Sequence, residues 1–302
     1  MKKVSVIMPN YNHAPFLTRR LNSILAQDYP NMEIILLDDA STDNSATILN
    51  EYAQHPKVKT LIINDINSGN PFVQWQHGLE LATGEYVWIA ESDDEAKPNL
   101  VSTLVAALER EYAALAFCRS ERIDDAGKSL FQHINTRWNR DFSTKGDDYV
   151  RHYLLGFNTI CNASAVVFRR DAAQTIDMQQ IAQFPASGDR LFWILLAMQG
   201  RVTYVAETLN RFRQHTQKVS NKAEQKGLNI IQDHDIYRTI APRLDLTRHE
   251  QRLICGYHWQ AMHKSAVSKE GRLKAMKAWK HEPEFGRKAY WLYLLHQAKE
   301  RC

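Results

Sequence analysis

Over its first 110 residues the chain alternates short apolar runs with stretches of helical period, and few folds accommodate that alternation. Val4–Met8 is a short, largely apolar run closed by Pro9. Phe16, Leu17, Leu21, Ile24 and Leu25 then recur at helical spacing, with Pro15 suited to a first helical turn. Glu33–Leu37 reads as a second buried strand that ends in Asp38-Asp39, and Ser41 or Thr42 is placed to cap a helix carrying Ile48, Leu49 and Tyr52. Val58–Ile63 is a third strand, Val73–Ala82 a helix stopped near Gly84, Tyr86–Ala90 a fourth strand and Leu100–Leu108 a further helix. Strands separated by helices predict an α/β architecture with a mainly parallel sheet covered on both faces. In such sheets ligands bind beyond the carboxyl ends of the strands. Two acidic clusters fall at those ends, Asp38-Asp39 and Glu91-Ser92-Asp93-Asp94.

The rest of the chain is less regular. Ala114–Cys118, Ala165–Phe168 and Val202–Val205 read as strands and Gly188–Met198 as a helix. Beyond about Asn221 the pattern is helical, with a capping box expected at Thr247–Glu250 and a break at Pro283. No apolar run approaches the roughly 20 residues that span a bilayer. The N-terminal MKKVSVIMPNYN lacks the long apolar core of a signal peptide and is read as a first strand of a cytoplasmic protein. Cys118, Cys161, Cys255 and Cys302 show no metal-ligand spacing and are read as reduced packing thiols.

Charge is unevenly placed. Lys264–Cys302 holds ten Lys/Arg against four Asp/Glu, in a chain whose whole net charge is +4. There Arg272, Lys274, Lys277, Lys280, Arg287 and Lys288 interleave with Leu273, Met276, Trp279, Tyr290, Trp291, Leu292, Leu294 and Leu295. Such helices can lie on an anionic membrane surface. The alternative is an extension packed on a catalytic domain with one solvated face. The chain carries no recognised nucleic-acid module, so no nucleic-acid partner is expected.

Carboxylates as close as those of Glu91–Asp94 repel unless something positive joins them. A divalent cation held by one or two carboxylates and by substrate phosphates answers this need. A solvated acidic turn is the plainer alternative for the string in isolation.

Taken in order, Ser5–Asn12, Leu36–Ser45, Asn67–Gly69, Leu79–Asp94, and Gly188-Asp189 with Arg211–Ser220 resemble the family 2 glycosyltransferases over roughly residues 3–220. The resemblance implies a GT-A (Rossmann-like) fold, with a catalytic domain over 1–220 and a basic helical C-terminal extension over 221–302. Residues 1–95 would form its nucleotide-binding half and 96–220 its acceptor and catalytic half. It implies an inverting transfer from a nucleotide-sugar, UDP- or dTDP-linked, to a saccharide or lipid-linked saccharide acceptor, with Mg2+ or Mn2+ as cofactor. The setting it implies is cell-surface polysaccharide synthesis on the inner face of the cytoplasmic membrane.

Site roles follow residue by residue. Pro9, Tyr11, Asn12, Asp38 and Asp39 would line the nucleotide pocket, with Asp39 on the base. Glu91 and Ser92 would belong to the nucleotide site, with Glu91 facing ribose or metal, Asp93 would take the metal-binding position, and Asp94 would lie beside the donor sugar or its ligands. Arg213 and His215 would face the diphosphate or metal, and Asp189 would be the catalytic base. Asn158 and Asn162 are candidates for the acceptor pocket. Two departures stand out: Gln74-Trp75-Gln76-His77 replaces an Arg-Asn pair common in the family, and Gly188-Asp189 replaces its usual Glu-Asp. A nucleotide-sugar-binding scaffold without catalysis is one rival reading. The other, a sugar nucleotidyltransferase, would need a Gly-rich basic loop where this chain has Pro9-Asn-Tyr-Asn12.

Overall fold

A computed structural model describes residues 1–214, 223–264 and 266–301. In chain order the elements begin β1 (Val4–Asn10), α1 (Ala14–Leu25), β2 (Met32–Asp38), α2 (Ser45–Tyr52), β3 (Val58–Ile63), α3 (Pro71–Leu81) and β4 (Tyr86–Ile89). They continue with β5 (Glu95–Ala96), α4 (Leu100–Glu111), β6 (Ala113–Ile123), β7 (Ser129–Ile134), β8 (Phe142–Lys145), α5 (Gly146–Tyr149), β9 (Val166–Arg169), α6 (Arg170–Ala173), α7 (Met178–Ala182), α8 (Gly188–Ala197) and β10 (Arg201–Arg213). The last four helices are α9 (Leu228–Ile240), α10 (Arg248–Met262), α11 (Lys269–Trp279) and α12 (Arg287–Arg301).

The chain divides into two compact units. One comprises Met1–Gly146, Ile160–Pro185 and Leu195–His215, the other Asp147–Thr159, Ala186–Ile194 and Thr216–Cys302. This division is interleaved, where the sequence suggests one boundary after residue 220.

The first unit is built on one sheet, ordered β3-β2-β1-β4-β9-β6-β10-β5, with β7 added on β6 and β8 on β10. β3, β2, β1 and β4 run parallel. Every residue of β1, β2 and β4 is buried, as expected of strands covered on both faces. On one face Val4, Val6, Met8, Leu36 and Trp88 share a core with Leu17, Leu21 and Ile24 of α1 and Leu100, Leu104 and Leu108 of α4. On the other, α3 lies so close to β1 that a Cβ on Gly78 would sit 2.2 Å from the Ile7 side chain. The register pairs Asn10 with Asp38 and Ile7 with Ile89, so the three carboxyl ends open on one side.

Two local expectations change. Helix α2 starts at Ser45, because Ser41 and Thr42 are engaged by Asp38 and Asn12 instead of capping a helix. β10 reaches Arg213, well past the expected Val205, because its polar second half pairs with both β6 and β5.

The second unit is helical. Trp279 is fully buried, stacked 4.2 Å from the His258 ring, and donates its indole N–H to the Ile230 carbonyl. The capping box at Thr247–Glu250 is formed. Among the described residues no helix is long and apolar enough to cross a membrane.

One buried carboxylate holds the edge of the first unit opposite its open side. Glu33 accepts from Ser5 Oγ at 2.6 Å, from the Thr83 amide at 2.7 Å and from the Thr83 hydroxyl. Burial alone would push its carboxyl up, but the Ser5 and Thr83 hydrogen bonds and the Lys59 charge outweigh it and hold it at about 2. A carboxylate lowered on folding contributes stability that is complete above its unfolded value and lost as pH falls through its folded one. Glu33→Gln should therefore cost on the order of 2 kcal/mol at neutral pH. The gap in Tm between variant and wild type should close between about pH 4.5 and 2, measured by circular-dichroism melts. A gap that does not change with pH would refute this account.

Candidate functional site

The acidic run leaves β4 at Ala90 and enters a tight turn. Its carboxylates are held in different ways. Asp94 is fully buried and accepts from the Arg213 backbone amide at 2.9 Å and from Asn162 Nδ2 at 2.8 Å. Asn162 in turn accepts from Asn210 of β10. Glu91 accepts from the Trp75 indole at 3.1 Å, and its amide donates to Ser164 Oγ at 3.0 Å. Ser92 is buried and lies 2.8 Å from His13 Nδ1. Asp93 stays partly exposed.

Gathering these groups has an electrostatic cost. Burial, then the Asp93 and Asp94 charges, push Glu91 up to about 8. Burial and Asp93 push Asp94 up to about 6 against the pull of Arg20. The Arg20 guanidinium lies beneath, fully buried, 4.8 Å over the Trp88 ring and 3.1 Å from Ser164 Oγ. Burial lowers it to about 10, while Asp94, Asp93 and Glu91 work in the opposite direction. Sequence reasoning passed over Arg20, yet a signal exists. It stands on the apolar stripe of α1, three residues after Leu17 and four before Ile24.

The second acidic strand end is equally tied down. Asp38 accepts from Asn10 Nδ2 and from the Ser41 amide and hydroxyl. Asp39 accepts from Asn64, Gln74 and the amide and hydroxyl of Ser68. Asn12, at φ 56°, accepts from the Thr42 and Asp43 amides. Pro9 is buried at the end of β1, and Tyr11 beside it is 46% exposed. Adjacent residues of α3, Gln74 and Trp75, thus hold Asp39 and Glu91 respectively.

Arg213 is placed otherwise than expected. Its side chain is fully buried and spent inside the protein, on the carbonyls of Asp93, Asp124 and Asp125 and on Glu95 Oε1 at 2.5 Å. It packs 4.9 Å over the Phe16 ring. Its role here is to clamp the acidic turn, because β10 runs antiparallel to β5 and brings its last residue over that turn. His215 lies outside the described residues. Asn162 holds Asp94 rather than lining open space, and it belongs to the first unit, Asn158 to the second.

Asp189 also belongs to the second unit, in the first turn of α8. Burial pushes it up to about 6, the Arg190 amide at 2.7 Å pulls it down, and Asp233 pushes it up again. Its neighbour Arg190 donates to the Leu154 and Leu155 carbonyls and pairs with Asp233 at 2.6 Å.

The resemblance implies a divalent cation, and the donor set can be tested against one. Among the described residues no three His, Cys, Asp or Glu side chains form a ready cation cage. A cation that takes only one or two carboxylates and completes its shell with phosphate oxygens and water needs no cage. Asp93 is partly exposed, and a positive charge beside it would relieve the repulsion that raises Glu91 and Asp94. The residues present fit such an ion.

Comparison with known proteins gives the family and the fold. The model of glycosyl transferase family 2 matches residues 5–176, and the chain belongs to that family. An uncharacterized glycosyltransferase, alr2836, of Nostoc is 27% identical over 70% of this chain and 65% of its own length. The poly(ribitol-phosphate) beta-N-acetylglucosaminyltransferase TarS of Staphylococcus aureus is 29% identical over 44% of this chain and 24% of its own. The chain spans only 43–66% of the length of the first three curated relatives. The structure of TarS 1–349 in complex with UDP-GlcNAc superposes with a TM-score of 0.70 at 19% identity, over 98% of this chain and 87% of that one. The mannosyltransferase PcManGT of Pyrobaculum calidifontis, in complex with GDP-Man and Mn2+, gives 0.56 at 18% identity, over 100% and 81%. The fold is GT-A, an α/β fold with a mainly parallel central sheet and a helical C-terminal region.

If Arg20 is the buried counter-charge of the acidic run, Arg20→Met should destabilise the protein by about 3 kcal/mol, since it leaves carboxylates uncompensated. Urea denaturation checks this. An unchanged midpoint would show that the run is neutralised by other means.

Proposed function

We propose that this chain transfers a sugar, with inversion, from a uridine-diphosphate donor to a hydroxyl of a saccharide acceptor in surface-polymer synthesis. The observation that carries this reading is the division of labour within the acidic run. Asp94 is buried on the Arg213 amide and Asn162, while Glu91, bonded to the Trp75 indole, and Asp93 both keep part of their surface exposed at the carboxyl end of β4. TarS, solved with UDP-GlcNAc, supports the donor class, and PcManGT, solved with Mn2+, supports the cation.

In this reading Asp93 holds Mg2+ or Mn2+. When bound, the cation neutralises charge on the diphosphate as it leaves. The chain's own residues do the rest. The loops closed by Asp38, Asp39 and Asn12 hold the nucleoside, with Tyr11 exposed at their edge. Asp189 takes the proton of the acceptor hydroxyl as its oxygen bonds to the anomeric carbon. The bond from that carbon to the diphosphate oxygen breaks with its electron pair on the departing nucleotide. Direct displacement from the opposite face inverts the configuration. A carboxyl raised to about 6 is ionised at neutral pH yet basic enough to accept that proton.

Asp189→Asn should lower kcat by about 10²–10⁴-fold with little change in donor KM. Asp189 must be ionised to act, so kcat/KM of the wild type should rise with pH through an apparent value near 6. That limb should vanish in the variant's residual activity. Steady-state assays of sugar transfer and donor hydrolysis across pH check both. Retained transfer in Asp189→Asn would remove Asp189 from the role of base. Asp93→Asn should abolish the Mn2+-dependent thermal shift produced by UDP-sugars.

A further inference from the structure

Helix α12 is two-sided, and its packing accounts for only one side. Ala289 and Tyr293 are 2% and 1% exposed. They sit against α10 at Gly256, where an added Cβ would lie 2.4 Å from the Ala289 carbonyl oxygen and 2.6 Å from Tyr293 Cβ. The opposite stripe carries Arg287, Trp291 and Leu295 at helical spacing, with Lys288 alongside. Trp291 and Leu295 are 64% and 62% exposed. Helix α11 repeats the arrangement: Gly271, Ala275 and Trp279 are buried, while Leu273, Lys277 and Lys280 are exposed. Of the aromatic residues interleaved with the basic ones in the sequence, Trp279 belongs to the core and Trp291 does not.

The charge on these stripes is not neutralised locally. Glu270 pairs with Lys274, Glu282 with His234 and Arg238, and Glu284 with Arg248 and Arg252. Lys277, Lys280, Arg287 and Lys288 are left without a carboxylate partner among the described residues. Beside α12, Trp259, Gln260, His263, Lys264 and Tyr290 line an open hollow of about 480 Å3. Two half-buried aromatic rings beside a terminal ammonium match the polarity gradient of a lipid headgroup region.

An exposed Trp and Leu flanked by unpaired cations need a partner that is both apolar and anionic. A second copy of the chain meets the first requirement and fails the second, since it would bring like charges together. A polyanion such as nucleic acid does the reverse. We propose that the outward face of α12 docks on an anionic phospholipid bilayer. Trp291 and Leu295 enter at the boundary of headgroups and acyl chains, and Arg287 and Lys288 meet the lipid phosphates.

The test is co-sedimentation of the full chain with phosphatidylcholine vesicles, with and without phosphatidylglycerol. Binding should require phosphatidylglycerol and weaken as salt is raised. Trp291→Ser with Leu295→Ser should reduce it about tenfold or more, and Arg287→Gln with Lys288→Gln about fivefold per charge. Both pairs are on the surface, so circular-dichroism melts should match the wild type; a collapsed melt would instead show that this face is packed and overturn the proposal. Equal binding to neutral vesicles, or undiminished binding by the Trp291/Leu295 variant, would also overturn it. So would a dimer seen by light scattering that dissolves in that variant while vesicles are ignored.

Discussion

Like charge gathered at low dielectric is the constraint around which the sheet of the first unit is arranged. β4 delivers Glu91, Asp93 and Asp94 to one turn after four buried residues. Each contact near that turn can be read as a response. Arg20 supplies charge from below, held on the Trp88 face. Ser164 fixes both Arg20 and the Glu91 amide. Asn162 and the Arg213 amide saturate Asp94, and the Arg213 side chain binds the turn's own carbonyl. The turn before β9 and the far end of β10 thus matter less as walls than as donors of hydrogen bonds. What remains partly exposed on that turn is Glu91 and Asp93.

The sequence carried the parallel half of the sheet with little loss. β1, β2 and β4 are covered on both faces, so they read as unbroken apolar runs, and α1 and α4 carry clean helical stripes. The acidic strand ends were legible for the same reason. What the sequence hid depends on pairing between distant residues. Nothing within Leu209–Arg213 reveals that it lies antiparallel to Glu95-Ala96, so the fate of the Arg213 side chain could not be read locally. Ser41 and Thr42 look like helix caps, but Asp38 and Asn12 compete for their donors and win. Arg20 is not legible locally, since a single cation on an apolar stripe can equally snorkel to solvent.

Asp189 and Arg190 show how neighbouring residues can serve opposite ends. Arg190 turns to the carbonyls of Leu154 and Leu155 and to Asp233, and in doing so pins the first turn of α8. Asp189 accepts from the adjoining Arg190 amide, and burial pushes its carboxyl up to about 6. Within the pair, the residue that anchors the helix relieves its neighbour of that duty.

Gln74 and Trp75 grip the two acidic strand ends, Asp39 and Glu91, from consecutive positions of one helix. A helix does not stretch, so the span between those carboxylates is set as if by a rigid ruler rather than by the loops that bear them. Inserting one residue ahead of Gln74 would turn both grips by about 100° together. The same rigidity gives the site a fixed gauge. A ligand bridging the two strand ends must match its length, and neither end can shift without moving α3 from its close seat against β1.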